Sequence, residues 1–242
     1  MKLKHIKDRF DRIIINQMYD RQMNESIEKI KELKMYHKNE RVFILGNGPS
    51  LNDTKFKLIK DEIFFVANAF HKGMKKFGIK PQYWAIGDGK IYNEYYKDIM
   101  FVDTNLFLTH QALYSYLKRP VFKQNEPYLV KVTGKIKHKP NFSFDITKGI
   151  HIGGGIIPII LQISFYLGFK EMYLLGCDCG SKGKPHHHFY KCKTQPRKDY
   201  SDIFEIYKIC RDALQLGNRK IYNSTVGGNL EVFERVDLEE IS

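Results

Sequence analysis

The densest run of reactive side chains in this 242-residue sequence is Cys177-Asp-Cys179-Gly-Ser-Lys-Gly-Lys-Pro-His186-His187-His188-Phe-Tyr-Lys-Cys192. Cysteine and histidine at this density are ligands that zinc prefers, but the spacing matches no common structural zinc pattern. Cys177 closes an apolar run, where a free cysteine is usually packing. Read without a metal, the stretch is a Lys/Gly-rich lid. A histidine titrating near neutrality can take the proton of an acceptor hydroxyl, while lysines and tyrosines beside it steady a departing phosphate. His188, nearest to the helix that follows, is the first candidate for that base, with His187 and Tyr190 as its companions. A solvated loop with idle histidines is the competing reading.

Two glycine motifs could receive the phosphate itself. Gly46-Asn47-Gly48-Pro49-Ser50 follows a short apolar run, and glycines there let backbone approach a phosphate or ribose closely. Leu51 replaces the third glycine of the dinucleotide fingerprint, and the lysine of a P-loop is missing, so a plain strand-to-helix turn competes on even terms. Gly153-Gly154-Gly155 stands directly before the apolar segment Ile156 to Leu167. Three glycines at a helix start cost conformational entropy, which points to a position where side chains would obstruct a phosphate or sugar, with a tight crossover between strand and helix as the competing reading.

The elements that must hold these groups come from the hydrophobic pattern. Arg41 to Gly46, Ile63 to Asn68, Tyr83 to Asp88, Asn105 to His110, Tyr128 to Thr133, Glu171 to Asp178 and Lys220 to Ser224 are short apolar runs. Helix-length segments separate most of them, including Phe70 to Phe77, Lys90 to Met100, Ile156 to Leu167 and Tyr200 to Leu216. Continuous apolar runs alternating with helices predict an α/β fold with a mostly parallel sheet sandwiched by helices, Rossmann-like. Four runs end in Asn47, Asn68, Asp88 and Asp178, and in open α/β sheets the carboxyl ends of the strands line the ligand crevice. Ahead of this body, Ile6, Phe10, Ile13, Ile14, Met18, Ile27, Ile30 and Leu33 mark an amphipathic helix or helix pair. The division is therefore an N-terminal helical arm over 1–39 and a catalytic domain over 40–242. The arm would pack on the body, associate with a second copy, or touch a membrane surface through its basic face.

Composition bounds the partners. Forty Lys and Arg against 27 Asp and Glu give a formal net charge of +13, which calls for an anionic partner. There is no RNP-type aromatic motif, helix-turn-helix signature or paired zinc-finger spacing, so nucleic acid ranks behind a phosphorylated small molecule. The longest apolar stretch, Gly153 to Gly168, is interrupted by Pro158, Gln162 and Ser164 and is too short to span a bilayer. Four scattered cysteines and the brevity of Ile13-Ile14-Ile15 as an export signal fit a cytoplasmic protein, with the inner membrane face as a peripheral location.

Gly46-Asn-Gly-Pro-Ser-Leu51, Asn68, Asp88, the triple glycine and Leu167-Gly-Phe-Lys-Glu-Met-Tyr-Leu-Leu-Gly-Cys-Asp178, in this order, resemble the MptE-like domain family. That family is typified by 6-hydroxymethylpterin diphosphokinase and extends to bacterial polysaccharide-biosynthesis proteins. The order is also similar to that of the Campylobacter-type sialyltransferases, which use CMP-activated sialic acid. The closing Lys220 to Glu240 resembles the end of the bacterial MptE-like members, so the likeness spans about Glu40 to Glu240. Carried over position by position, it implies that Asn47 contacts the nucleotide and its phosphate and that Asn68 holds the nucleotide-sugar. Asp88 stands where the sialyltransferases have Asn, and Gly153 to Gly155 where they have Thr-Ser-Gly. Their lid tyrosines correspond to Tyr190 and Tyr200, and their base histidine comes later in the lid than residues 186–188 do here.

The leading expectation is thus a metal-independent glycosyltransferase that moves a sugar from a nucleotide-sugar, CMP-linked by the resemblance, to a glycan or lipid-linked acceptor in surface polysaccharide assembly. The first alternative is a diphosphokinase passing pyrophosphate from ATP to a hydroxymethyl pterin, with Asp88 and Asp178 holding Mg²⁺. The second is a non-catalytic module for anionic ligands. A homo-oligomer is compatible with each.

Overall fold

The computed structural model describes residues 19–118, 126–136, 141–180, 187–192 and 197–241. The seven predicted apolar runs supply seven strands of an eight-stranded sheet in the order β10-β9-β8-β1-β2-β3-β4-β5, and β10 comes from none of them. Its members are β1 (Arg41–Leu45), β2 (Phe64–Ala67), β3 (Tyr83–Ile86), β4 (Asn105–Thr109), β5 (Tyr128–Val130), β8 (Glu171–Leu175), β9 (Lys220–Asn223) and β10 (Glu234–Arg235). Every pairing is parallel. Residues alternate between the two faces: Val42 and Ile44 of β1 face one apolar layer, Phe43 and Leu45 the other. Both faces are covered, which is why the runs are continuously apolar instead of alternating with polar residues.

One layer is formed by α5 (Ile157–Leu167) and α6 (Ser201–Leu216). The other holds α2 (His71–Phe77), α3 (Gly89–Ile99), α4 (His110–Lys118) and the short α7 (Leu238–Ile241). Ten of the eleven residues of α5 are buried, so the most apolar segment of the chain is the central helix of its layer. Its one amide, Gln162, is fully buried. Oε1 accepts from Ser143 N and His151 N, both at 3.0 Å, while Nε2 donates to His151 O and Pro158 O. The side chain that interrupts the apolar stretch thereby clamps the start of α5 to the strand before it.

That strand, β7 (Ile150–Ile152), pairs with β6 (Val132–Lys135) in a separate two-stranded sheet. The run Tyr128 to Thr133, read as one strand, is therefore split: Tyr128–Val130 stays in the main sheet as β5, and from Val132 the chain departs to meet β7.

The N-terminal arm is described from residue 19, with a helix over 19–32, here α1. Ile6, Phe10, Ile13, Ile14 and Met18 lie outside the described residues. Met23 and Ile30 are buried. Ser26 Oγ accepts from Leu129 N at 2.6 Å and donates to Leu129 O at 3.2 Å, so the helix covers edge strand β5. His37 seats the end of the arm: its ring stacks on Phe169 at 4.4 Å, and its two nitrogens meet Glu40 Oε2 at 2.5 Å and the Tyr83 hydroxyl at 2.6 Å. Among the described residues no helix is long and apolar enough to cross a membrane.

Candidate functional site

Strands β2 to β5 are laid down on one side of β1 and β8 to β10 on the other, so the chain reverses its direction of travel between β1 and β8. Crevices in parallel sheets open at such a reversal, beyond the carboxyl ends of the strands. Here two loops meet. Gly48 N donates to Gly176 O at 2.8 Å, Ser50 N to Asp178 Oδ1 at 3.1 Å, and Ser50 Oγ to Asp178 Oδ2 at 2.7 Å. Asp178 and Ser50 are buried. A β-carbon on Gly48 would collide with the Asp178 carboxylate, and one on Gly46 with Gly176 O. These glycines are thus required by the close approach of the two loops, and Pro49 opens the 3₁₀ turn Pro49–Asp53 that Asp178 caps.

Asn47 projects from this junction toward β2. Its Nδ2 donates to Ala67 O at 2.9 Å, its backbone carbonyl accepts from Phe189 N at 2.9 Å, and its Oδ1 is buried without a hydrogen-bond partner among the described residues. Such an acceptor carries a desolvation cost that a donor on a ligand would relieve.

Beyond β2 to β4 lies a cavity of about 370 Å³ lined by Asn68, Gly87, Asp88, His110, Gln111, Gly153, Gly155 and Ile156, among others. It gathers four residues expected from the sequence, Asn68, Asp88, Gly153 and Gly155, and adds His110. Asn68 Oδ1 accepts from Gly87 N at 3.2 Å, and its carbonyl accepts from Trp84 Nε1 at 2.8 Å. Asp88 caps α3, with Oδ1 accepting from Lys90 N at 2.7 Å and from Ile91 N at 3.4 Å. Asn68 (φ +44°) and His110 (φ +50°) both hold left-handed backbone conformations, which side chains other than glycine adopt at a cost that clusters at functional sites.

Gly155, also left-handed at φ +91°, has open space where a β-carbon would stand, whereas Gly153 and Gly154 lie against Ile206 of α6. Next to Gly155, α5 begins without a side-chain cap or an acidic residue in its first turn. The positive end of an eleven-residue helix thus lies at the cavity behind a bare glycine, although Pro158 carries no N–H and Ile159 N and Ile160 N already donate to Ile156 O. A larger cavity, about 750 Å³, includes Ile79, Gln82, Thr104 and Asn105 in its wall, at the amino ends of β3 and β4. It holds none of the expected residues and sits at the wrong end of a parallel sheet for a ligand crevice.

The lid is described over 187–192. Phe189 is buried against Phe70 and Phe77, at ring distances of 5.9 and 5.3 Å, which fixes the segment over α2. His188 stacks on Tyr190 at 5.1 Å. Burial, together with the neighbouring His187 and Lys72, pushes the His188 imidazole down to about 4, so the near-neutral base expected from the sequence is corrected to a weakly basic ring that is neutral at pH 7. Burial, then Cys192, Tyr95, Asp88 and Glu94, raises the Tyr190 phenol, which stays protonated and can donate. Lys72, visible in the sequence only as part of a charge cluster, places Nζ 4.6 Å from the Tyr190 ring centre and 2.7 Å from the Tyr95 hydroxyl. Cys177 is buried, as its place in the strand implied, and its thiol is raised well above the ordinary range by burial. His186 lies outside the described residues.

Sequence reasoning passed over His110 although the fourth apolar run ends on it; as a polar residue closing a strand it carried the same signal as Asn68 and Asp88. Thr225 and Asn229 carried no such signal. They brace the β8 loop, Thr225 Oγ1 accepting from Cys177 N at 3.1 Å and Asn229 N donating to Asp178 O at 2.8 Å. No curated protein matches the chain. The family described as 6-hydroxymethylpterin diphosphokinase MptE-like matches residues 15–184, taking in most of the arm and stopping short of the Lys220 to Glu240 segment. With that match running through α1, the switch-point loops, the cavity and α5, the chain belongs to the MptE-like family.

Proposed function

We propose that this protein is a nucleotide-dependent glycosyltransferase whose donor, a nucleotide-sugar taken as CMP-linked from the resemblance above, binds in the cavity between Asn68, Asp88, His110 and Gly155. The observation that carries the reading is that cavity: an uncapped helix start behind a glycine faces two residues held in left-handed conformations at the ends of β2 and β4. The α5 amino end suits the donor phosphates. Asn47 Oδ1 offers an unpartnered acceptor to a donor group on the nucleotide, and protonated Tyr190, with Lys72 beside it, stabilises the departing phosphate.

We assign the proton-accepting role to His110, which lines the cavity, in place of His188, which does not line it and whose half-buried ring stacks on Tyr190. His110 would receive the proton of the acceptor hydroxyl as that oxygen attacks the anomeric carbon and the bond from that carbon to the phosphate oxygen breaks. The acceptor is a glycan or lipid-linked glycan, and the enzyme works on the cytoplasmic side, with peripheral membrane contact through the basic residues of the arm as part of the same reading.

A second reading, pyrophosphate transfer from ATP to a hydroxymethyl pterin, is favoured by the family's name. Of the two carboxylates that reading asks for, Asp178 accepts from Ser50 with both oxygens in a buried junction, which weakens it, while Asp88 caps α3 through Oδ1 alone and lines the cavity. One panel separates the two. Melting temperature and product formation are followed with CMP, UDP, GDP, ATP and the sugar conjugates, with and without Mg²⁺. Glycosyl transfer predicts stabilisation and slow hydrolysis of a nucleotide-sugar without Mg²⁺. AMP formation from ATP with a hydroxymethyl pterin, and no response to any nucleotide-sugar, would overturn it.

A further inference from the structure

We propose that His187, His188 and Cys192 contribute three ligands to a site for a thiophilic divalent cation, best matched by zinc, with no fourth protein ligand among the described residues. The side-chain atoms of the three that could act as ligands all lie within 4.8 Å of one another, and among the described residues this is the one such group of three or more. A tetrahedral zinc with Zn–S of about 2.3 Å and Zn–N of about 2.0 Å sets its sulfur and nitrogen ligands about 3.5 Å apart. Cys192 Sγ stands 3.6 Å from His187 Nε2 and 3.8 Å from His187 Nδ1, so thiol and imidazole are already adjacent, and a rotation of the ring aims one nitrogen at a shared cation. The His187 and His188 rings are 4.2 Å apart, and His188 Nδ1 is buried without a hydrogen-bond partner among the described residues, leaving a lone pair that could bind a cation or a proton that a cation would displace.

The ligand types select the ion. Two imidazoles and a thiolate favour zinc, cobalt and their neighbours over Mg²⁺ and Ca²⁺, which take oxygen. Three protein ligands alone would leave the fourth position to an exchangeable group, as in catalytic zinc sites. The short H-H-x-x-x-C spacing departs from the paired motifs of structural sites, which is why the sequence did not declare it. Phe189 supplies the rigidity such a site needs: it is buried between Phe70 and Phe77 and its N–H is fixed to Asn47 O, so the ligands flank an anchored residue. The cation would stand beside Tyr190 and close to Asn47, adding positive charge where an anionic ligand is expected and tying the described part of the lid to itself.

The test uses the full chain without a histidine tag, stripped with chelator and titrated with Co²⁺ and then Zn²⁺. The expected result is one equivalent bound, a thiolate-to-cobalt charge-transfer band with tetrahedral visible absorption, and loss of both on adding Zn²⁺. Cys192→Ser should abolish the charge-transfer band and weaken binding at least 10-fold, and His187→Gln should weaken it similarly, whereas Cys179→Ser should change neither. The melting temperature of each metal-free variant shows whether the fold is kept, and His187→Gln reports on the site if Cys192→Ser does not fold. A wild-type chain that binds no cobalt, or a charge-transfer band that survives Cys192→Ser, would overturn the proposal.

Discussion

Ser50 joins the two loops at the strand reversal through both its backbone and its hydroxyl, and removing the hydroxyl leaves Asp178 Oδ2 short of a buried donor. Ser50→Ala should cost about 1.5–3 kcal/mol in urea unfolding, the range for a hydrogen bond to a charged group. Gly155 calls for a different outcome. A side chain there meets open space but must adopt a left-handed backbone, so Gly155→Val should lower stability by about 1–2 kcal/mol while weakening nucleotide binding at least 10-fold by calorimetry. His110→Ala should reduce kcat/KM about 10²–10⁴-fold with the fold intact, and His188→Ala less than 10-fold. A collapse of activity in His188→Ala alone would return the base to the lid. At this scale the sequence exposed Asn68, Asp88 and the glycines because each ends an apolar run or opens a helix. It could not expose the weak basicity of His188, which depends on how deeply Phe189 draws the segment into the aromatic cluster over α2.

Among the elements, α1 most changes how the chain divides. Ile30 is fully buried in the main core and Ser26 closes the edge of β5, so residues 19–39 act as part of the body. The fragment 40–242 should accordingly be insoluble or aggregate on expression, with an apolar groove and an open strand edge exposed, and Ile30→Ala in the full chain should cost about 2–4 kcal/mol in chemical unfolding. A soluble, cooperatively folding 40–242 fragment would restore the arm as a separate unit. The long apolar strands and α5 were readable because burial on both sides writes itself as uninterrupted hydrophobicity. The three-residue β7 and two-residue β10 were not, since strands so short exist only through the partner they pair with. The clamp made by Gln162 was likewise hidden: one amide in an apolar stretch looks like an interruption until its four hydrogen bonds are seen.

Over the whole molecule, the pH response should be set partly by buried imidazole. Burial, aided by Lys72, pushes His71 down to about 4, while in the unfolded chain it takes its proton near 6.5. The unfolded state therefore binds more protons between those values, so stability is full above about pH 6.5 and falls as pH drops toward 4. The loss from this residue, which is partly open to solvent, should be on the order of 1 kcal/mol, seen as a falling melting temperature that flattens in His71→Gln. The net charge of +13 has one local counterpart in Lys72 beside Tyr190, but most of it remains a general attraction for anions. The sheet order was beyond the sequence, because continuous runs say that strands are buried and parallel without saying which are neighbours. That order also dictates when the protein can become competent during synthesis. Phe43 finds Phe64 soon after both leave the ribosome, but its other neighbour, Tyr173, is more than half the chain away. The nascent protein must therefore carry β1 with one open flank until β8 emerges, and only then can Ser50 find Asp178, so the junction at the strand reversal is among the last parts to assemble and a chain cut short before β8 would lack it.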